Sequence, residues 1–255
     1  CALYQALPVD GVAIINADDA FASFFSGLAG TRRVLRFGLD HEADVSADII
    51  EQRVDGSRFV LSTPVGDAEV ALPLAGRHNV ANALAAASIA LALDVPLATI
   101  VAGLEQARAV AGRLKREAMP GGWTLIDDSY NANPSSMAAA IDTLALAQGE
   151  RWLVLGDMAE LGTDERALHA EVGARASKQG IERLFAVGPL GTATVAAFGA
   201  QGEHFDDKAA LIAALRSRLH GGVTCLVKGS HSAGMEQVVA ALRNPEQKGG
   251  ASDAA

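Results

Sequence analysis

From residue 123 onward, short apolar runs alternate with longer helical stretches, and this alternation limits the fold more than any other feature of the chain. It predicts strands at 123–127, 151–155, 183–187 and 223–227, and helices at 134–147, 163–179, 191–199, 206–219 and 233–242. Strands joined through helices and short connections build a mostly parallel α/β sheet covered on both faces. The composition permits it. Half of the 255 residues are hydrophobic, and abundant Ala and Gly let helices pack closely on a sheet.

The first part of the chain has a different character. "GVAIINADD" (11–19) reads as a strand ending in polar residues, and "DDAFASFFSGLAG" as a helix with Gly at its end. Residues 32–74 hold the short β-rich runs "RRVLRFG", "SADIIEQRV", "SRFVLSTPV" and "AEVALPL", with hairpin-type turns at 54–57 and 64–67. These predict a small antiparallel section. A long helix over 76–95 and a second over 97–109 follow. The expected division is a first domain over 1–110, a second over 111–245, and a small polar tail over 246–255 that is expected to be disordered.

Charge and cysteine content exclude several classes. The formal net charge of −9 leaves no whole-chain basic field for nucleic acid. No apolar run approaches the roughly 18 residues of a membrane span, so membrane insertion is not expected. The two cysteines, Cys1 and Cys225, make neither a disulfide framework nor a zinc cluster, and suit a reducing cytoplasm. The chain opens at Cys1 and runs almost directly into structured sequence. The expectation is a piece of a longer chain cut within a helix; a mature lipoprotein is the alternative.

Polar residues gather at three of the expected strand ends. "LIDDSYNANPSSM" (125–137) ends an apolar run in two carboxylates, then turns at Asn133-Pro134 into a helix. Asp127, Asp128, Tyr130, Asn131 and Asn133 thus stand beyond a strand's carboxyl end, where ligands of open α/β sheets bind. Turn chemistry is the plainer reading of the same residues. Asp128 could accept hydrogen bonds from ribose hydroxyls, and Asn131 and Asn133 could contact phosphate or substrate. "LVLGDMAELG" (153–162) carries Asp157, Met158 and Glu160 after its strand. In "LVKGSHSAGMEQVV" (226–239), Lys228 and Ser230 lead towards a helix N-terminus, an arrangement suited to an anion. If the three strands are neighbours, the clusters line one edge of the sheet.

Two further stretches add polar groups. In "GRHNVANALAAA" (76–87), Asn79 and Asn82 are three apart and share a helix face, where two amides could bond an adenine. His78 is a minor candidate. In "AGRLKRE" (111–117), Arg113 follows Gly112 and could reach a phosphate; an exposed linker arginine is the commoner case. No G-x-x-x-x-G-K-[ST] occurs, and no G-x-G-x-x-G opens a helix after a strand.

The strings "GRHNVANALAAA", "AGRL", "DDSYNANPSSM", "LGDMAELG" and "VKGSHSAGMEQVV" occur in the order found in the Mur ligases, and the chain resembles that family over about residues 8–243. The resemblance is closest to the member that adds D-alanyl-D-alanine to UDP-MurNAc-tripeptide in bacterial peptidoglycan precursor synthesis. It implies the last part of a central ATPase domain, including the small antiparallel β section, followed by a Rossmann-like, mostly parallel C-terminal domain. It implies a cytoplasmic, ATP-dependent ligase that forms an acyl phosphate, acts with UDP-MurNAc-tripeptide and D-Ala-D-Ala, and is a monomer. Mg²⁺ ligands are expected in an N-terminal part not present in this sequence. The resemblance assigns Asn79 and Asn82 to adenine, Arg113 to the γ-phosphate and Asp128 to ribose. Asn131, Asn133, Lys228 and Ser230 are assigned to phosphate or the incoming dipeptide. The chain departs from the family pattern in three ways. It lacks the UDP-binding domain, it lacks the P-loop and carbamylated lysine, and His231 stands where many relatives have arginine. Such a chain is expected to be inactive alone. Another Mur-type or folylpolyglutamate-type ligase, and a non-catalytic nucleotide-binding module, are the alternatives.

Overall fold

The computed structural model describes Tyr4 and residues 6–244; Cys1 and the 246–255 tail lie outside the described residues. The chain forms two compact units that divide between Arg108 and Ala109.

The first unit is built on a five-stranded sheet in the order β1-β2-β3-β4-β5. The strands are β1 (Val12–Asn16), β2 (Arg33–Gly38), β3 (Val45–Arg53), β4 (Gly56–Thr63) and β5 (Gly66–Leu72). Helices α1 (Ala22–Ala29), α2 (Arg77–Ala92) and α3 (Leu97–Glu105) accompany them. The two tight turns make β3, β4 and β5 antiparallel, as their sequences predict. The expected antiparallel section is nevertheless too large, because β2 pairs in parallel with β1, from Val12↔Arg33 to Asn16↔Phe37. A helix between two strands carries the chain back to start the second strand at the same end, so α1 imposes this direction. The core joins Phe59, Leu61 and Val70 of the sheet to Val80, Leu84 and Ala87 of α2 and Ile100 of α3. The alanines of α2 present little bulk to the sheet, which lets the helix lie close.

The second unit has a six-stranded sheet in the order β10-β9-β8-β11-β7-β6. Its elements in chain order are β6 (Lys115–Ala118), β7 (Thr124–Asp128), α4 (Pro134–Ala145), β8 (Glu150–Gly156) and α5 (Glu165–Lys178). Next come β9 (Arg183–Val187), α6 (Gly191–Phe198), β10 (Gly202–Phe205), α7 (Lys208–Arg218), β11 (Val223–Lys228) and α8 (Glu236–Arg243). Strands β7 to β11 pair in parallel and β6 runs antiparallel on the edge. The parallel strands bury both faces, and Trp152, Phe185, Leu125, Leu211 and Leu215 are among the core residues.

Two strands are absent from the sequence prediction. β6 is "KREA", whose charges suit an edge strand but hide its apolar period. β10 is "GEHF", a half-buried edge strand with a single large apolar residue. The order of the remaining strands positions the polar clusters. The chain steps outward through β8, β9 and β10, then returns to insert β11 between β8 and β7. The carboxyl ends of β7, β11 and β8 are therefore neighbours, and the order of the sheet reverses among them. In open α/β sheets such a reversal is where the crevice for a ligand opens.

Candidate functional site at the strand ends of the second unit

The register sets Lys228 beside Asp128 on one flank and beside Leu155, one residue before Gly156, on the other. Lys228 is 3 % exposed and Asp128 8 %. The ammonium donates to Asp128 Oδ2 at 2.6 Å and to the main-chain carbonyl of Asn131 at 2.9 Å. Two of its three N–H groups are thereby fixed, and among the described residues the third has no partner. Asp128 Oδ1 accepts from the N–H of Leu114 at 3.1 Å. Leu114 adopts the left-handed region, φ 51°, a costly conformation for leucine that turns its N–H onto the carboxylate. Burial raises the Asp128 carboxyl above its usual range, against the pull of the Lys228 ammonium and the Leu114 N–H; the neighbouring Asp127 adds to the rise.

Successive side chains of a strand point to opposite faces, and this separates the two aspartates. Asp127 Oδ2 accepts from Arg243 of α8 at 2.9 Å, and Oδ1 from the Ser129 hydroxyl at 2.6 Å. Arg243 also holds Glu117 of β6. Asp127, counted in the sequence among residues placed for a ligand, here ties β7, β6 and α8 together.

Other expected contacts have local partners too. Asn133 caps α4: its Oδ1 accepts from Ser136 N at 2.8 Å and from the Ser135 hydroxyl at 2.9 Å, while Ser136 Oγ accepts the Asn133 N–H at 3.0 Å. Asn131 reaches Lys228 with its backbone carbonyl, and its side chain turns back to Ala132 N. Ser230 is buried; its N–H donates to the Asp157 carbonyl at 3.0 Å and its hydroxyl lies 3.1 Å from that of Ser232. The helix expected over 233–242, towards whose N-terminus Lys228 and Ser230 lead, starts three residues later. A 3-10 turn over His231–Ala233 and a left-handed Gly234 come first, and α8 begins at Glu236.

Arg113 sits over the ring of Tyr130, its guanidinium carbon 4.7 Å from the centroid. Gly112 makes this possible. Its φ is +74°, and a Cβ there would lie 3.0 Å from Tyr130 Cβ.

The Asp157 motif organises the third strand end. Asp157 Oδ2 accepts from Leu190 N at 3.2 Å. Its Oδ1 is buried without a hydrogen bond, 3.9 Å from His169 Nε2. That nitrogen accepts from Met158 N at 2.9 Å, so the ring carries its proton on Nδ1, 2.7 Å from the Glu165 carbonyl. The sequence reading missed His169. A histidine inside a predicted helix eleven residues from the motif carries no local signal of such a contact.

The remaining expected residues belong to the first unit. Asn79 and Asn82 share a face of α2 as their spacing predicts. Asn79 Nδ2 donates to the Ala75 carbonyl at 2.7 Å and Asn82 Nδ2 to Asn79 Oδ1 at 3.4 Å. Among the described residues no group of three His, Cys, Asp or Glu side chains is placed to hold a metal ion. No described helix is long and apolar enough to cross a membrane.

Comparison with known proteins gives these observations a family. Residues 112–231 match the Mur ligase glutamate ligase domain and residues 1–90 the Mur ligase middle domain. The UDP-N-acetylmuramoyl-tripeptide–D-alanyl-D-alanine ligase of Escherichia coli K12 is 45% identical over 244 residues, covering 94% of this chain and 54% of that protein. A crystal structure of MurF from Acinetobacter baumannii superposes with a TM-score of 0.85 at 35% identity, covering 94% of this chain and 53% of the other. MurF from Thermotoga maritima, solved in complex with ADP, shares the fold at a TM-score of 0.78 and 20% identity, covering 92% and 53%. The chain thus spans about half the length of the relatives it matches. Two matched domains, with the strand-end motifs in place on them, assign this chain to the Mur ligase family, of which it carries the middle and glutamate ligase domains.

Proposed function

We propose that this chain is part of an ATP-dependent amide ligase that adds D-alanyl-D-alanine to UDP-MurNAc-tripeptide in the bacterial cytoplasm. The observation that carries the reading is the Lys228–Asp128 pair, 2.6 Å apart where the ends of β11 and β7 converge. A buried ammonium with one N–H left over suits negative charge that appears on a phosphate or a carbonyl oxygen during acyl transfer. Asp128 and the Asn131 carbonyl hold that ammonium in place beforehand, so little reorganisation accompanies the reaction.

The residues fit a nucleotide in part. Arg113 offers a guanidinium, and among the described residues no carboxylate pairs with it. It suits a terminal phosphate. Asp128 uses both oxygens within the chain, although a carboxylate retains lone pairs for a ribose hydroxyl. Asn79 and Asn82 are assigned to adenine on the likeness to the relatives. ATP supplies the phosphoryl group that converts a poorly electrophilic carboxylate into an acyl phosphate, and the dipeptide amine then displaces phosphate. The chain's own part is positioning and charge neutralisation. Neither a nucleophile nor a general base is assigned to it. Mg²⁺ ligands and a phosphate-gripping loop are assigned to protein outside this sequence, so the chain by itself is inactive.

The test is phosphate release with ATP, Mg²⁺, UDP-MurNAc-tripeptide and D-Ala-D-Ala, with and without a separately made N-terminal part of the ligase. Release that needs both parts, and falls at least tenfold with Lys228→Met, supports the reading. Release by the chain alone, or release indifferent to Lys228, overturns it.

A further inference from the structure

Tyr130 is a large aromatic residue left 52 % exposed at the end of β7, where the sequence offers no reason to place an aromatic on the surface. Three contacts bind the Gly112-Arg113-Leu114 segment to its loop. Tyr130 N donates to the Gly112 carbonyl at 3.0 Å, Leu114 N donates to Asp128 at 3.1 Å, and the guanidinium of Arg113 stacks on the ring at 4.7 Å. The His231 ring stands 6.0 Å from the Tyr130 ring. Among the described residues the Tyr130 hydroxyl has no hydrogen bond, so the ring is not there to place its oxygen.

A guanidinium paired with a carboxylate has donors occupied and charge neutralised. One held by a ring face is fixed in its plane, yet its five N–H groups stay free along the edge. That is the state required of an arginine that must meet a phosphate. We propose that Tyr130 is the positioning residue for Arg113, holding it ready for the terminal phosphate of a polyphosphate without touching that phosphate itself. The inference rests on the proposed assignment of Arg113 to phosphate.

The experiment titrates this chain with inorganic triphosphate by calorimetry, and records the Arg113 Nε–H resonance by NMR. Arg113→Ala should weaken binding tenfold or more. Tyr130→Phe, which keeps the ring, should bind within about twofold of the unsubstituted chain. Tyr130→Leu should weaken binding about two- to fivefold, the factor of a cation–π contact at an exposed ring. In that variant the Arg113 resonance should lose its ring-current shift while the backbone spectrum stays that of the folded chain. Unchanged binding in Tyr130→Leu, with Arg113→Ala impaired, overturns the role of Tyr130 alone. A loss in Tyr130→Phe equal to that in Tyr130→Leu also overturns it, since the hydroxyl would then be responsible. No binding by the unsubstituted chain, or unchanged binding in Arg113→Ala, removes the phosphate assignment and the inference with it.

Discussion

Replacing Asp128 with alanine should destabilise the second unit far more than most substitutions at a strand end. The change leaves the Lys228 ammonium, 3 % exposed, with only the Asn131 carbonyl as partner. Breaking a buried pair from one side costs about 3–5 kcal/mol, because the remaining charge keeps its desolvation penalty and loses its counter-ion. The Leu114 N–H also loses its acceptor, while its strained backbone remains. Both tryptophans, Trp123 and Trp152, lie in this unit, so their fluorescence in urea follows its unfolding separately from the first unit. With a slope of roughly 2 kcal/mol per M, the midpoint should fall by about 1.5–2.5 M. The double substitution Asp128→Leu with Lys228→Met removes both charges and should recover most of the loss. A single-variant shift below about 0.5 M would refute the reasoning. So would a double variant no more stable than the single, since the cost would then lie in packing and not in a stranded charge.

Three further outcomes are expected. Asn133→Ala should cost the second unit about 0.5–2 kcal/mol in the same titration, as the loss of a helix cap does; an unchanged midpoint would mean the side chain is not needed as a cap. The Arg243 guanidinium holds the Glu117 carboxyl below its usual range, outweighing a smaller rise from burial. A depressed folded value contributes stability above the ordinary glutamate pKa of roughly 4.3, lost as pH falls through the folded value. Arg243→Met should therefore flatten the decline in stability below about pH 4, and an unaltered acid limb would contradict this. Burial pushes the Cys225 thiol up to about 12. In a Cys1→Ser background it should ignore a thiol reagent at pH 8 until denaturant is added; rapid labelling of the folded chain would show that the sheet opens there.

Strand ends with polar clusters were legible because apolar runs and Asn-Pro or Gly punctuation are local signals. So was the shared helix face of Asn79 and Asn82, which follows from spacing alone. Edge strands were not. "KREA" and "GEHF" become strands because a neighbouring strand supplies hydrogen bonds, and nothing in their own order of residues announces it. The direction of β2 also needed the structure, since a β-rich run carries the same pattern whichever way it pairs.

The candidate site divides in the same way. The order of residues alone dictates which side-chain types stand at the carboxyl ends of β7, β8 and β11, and that no phosphate-gripping loop occurs in the chain. It singled out Asp128 for ribose but could not say which partner either aspartate meets within the fold. Only the folded sheet sends one to Arg243 and the other to Lys228, because alternate side chains face opposite sides of a strand and the partners arrive from 116 and 100 residues away. Strand order decided the rest. Inserting β11 between β7 and β8 brings Lys228 to Asp128, and strand order is set by long-range packing that no local run of residues encodes.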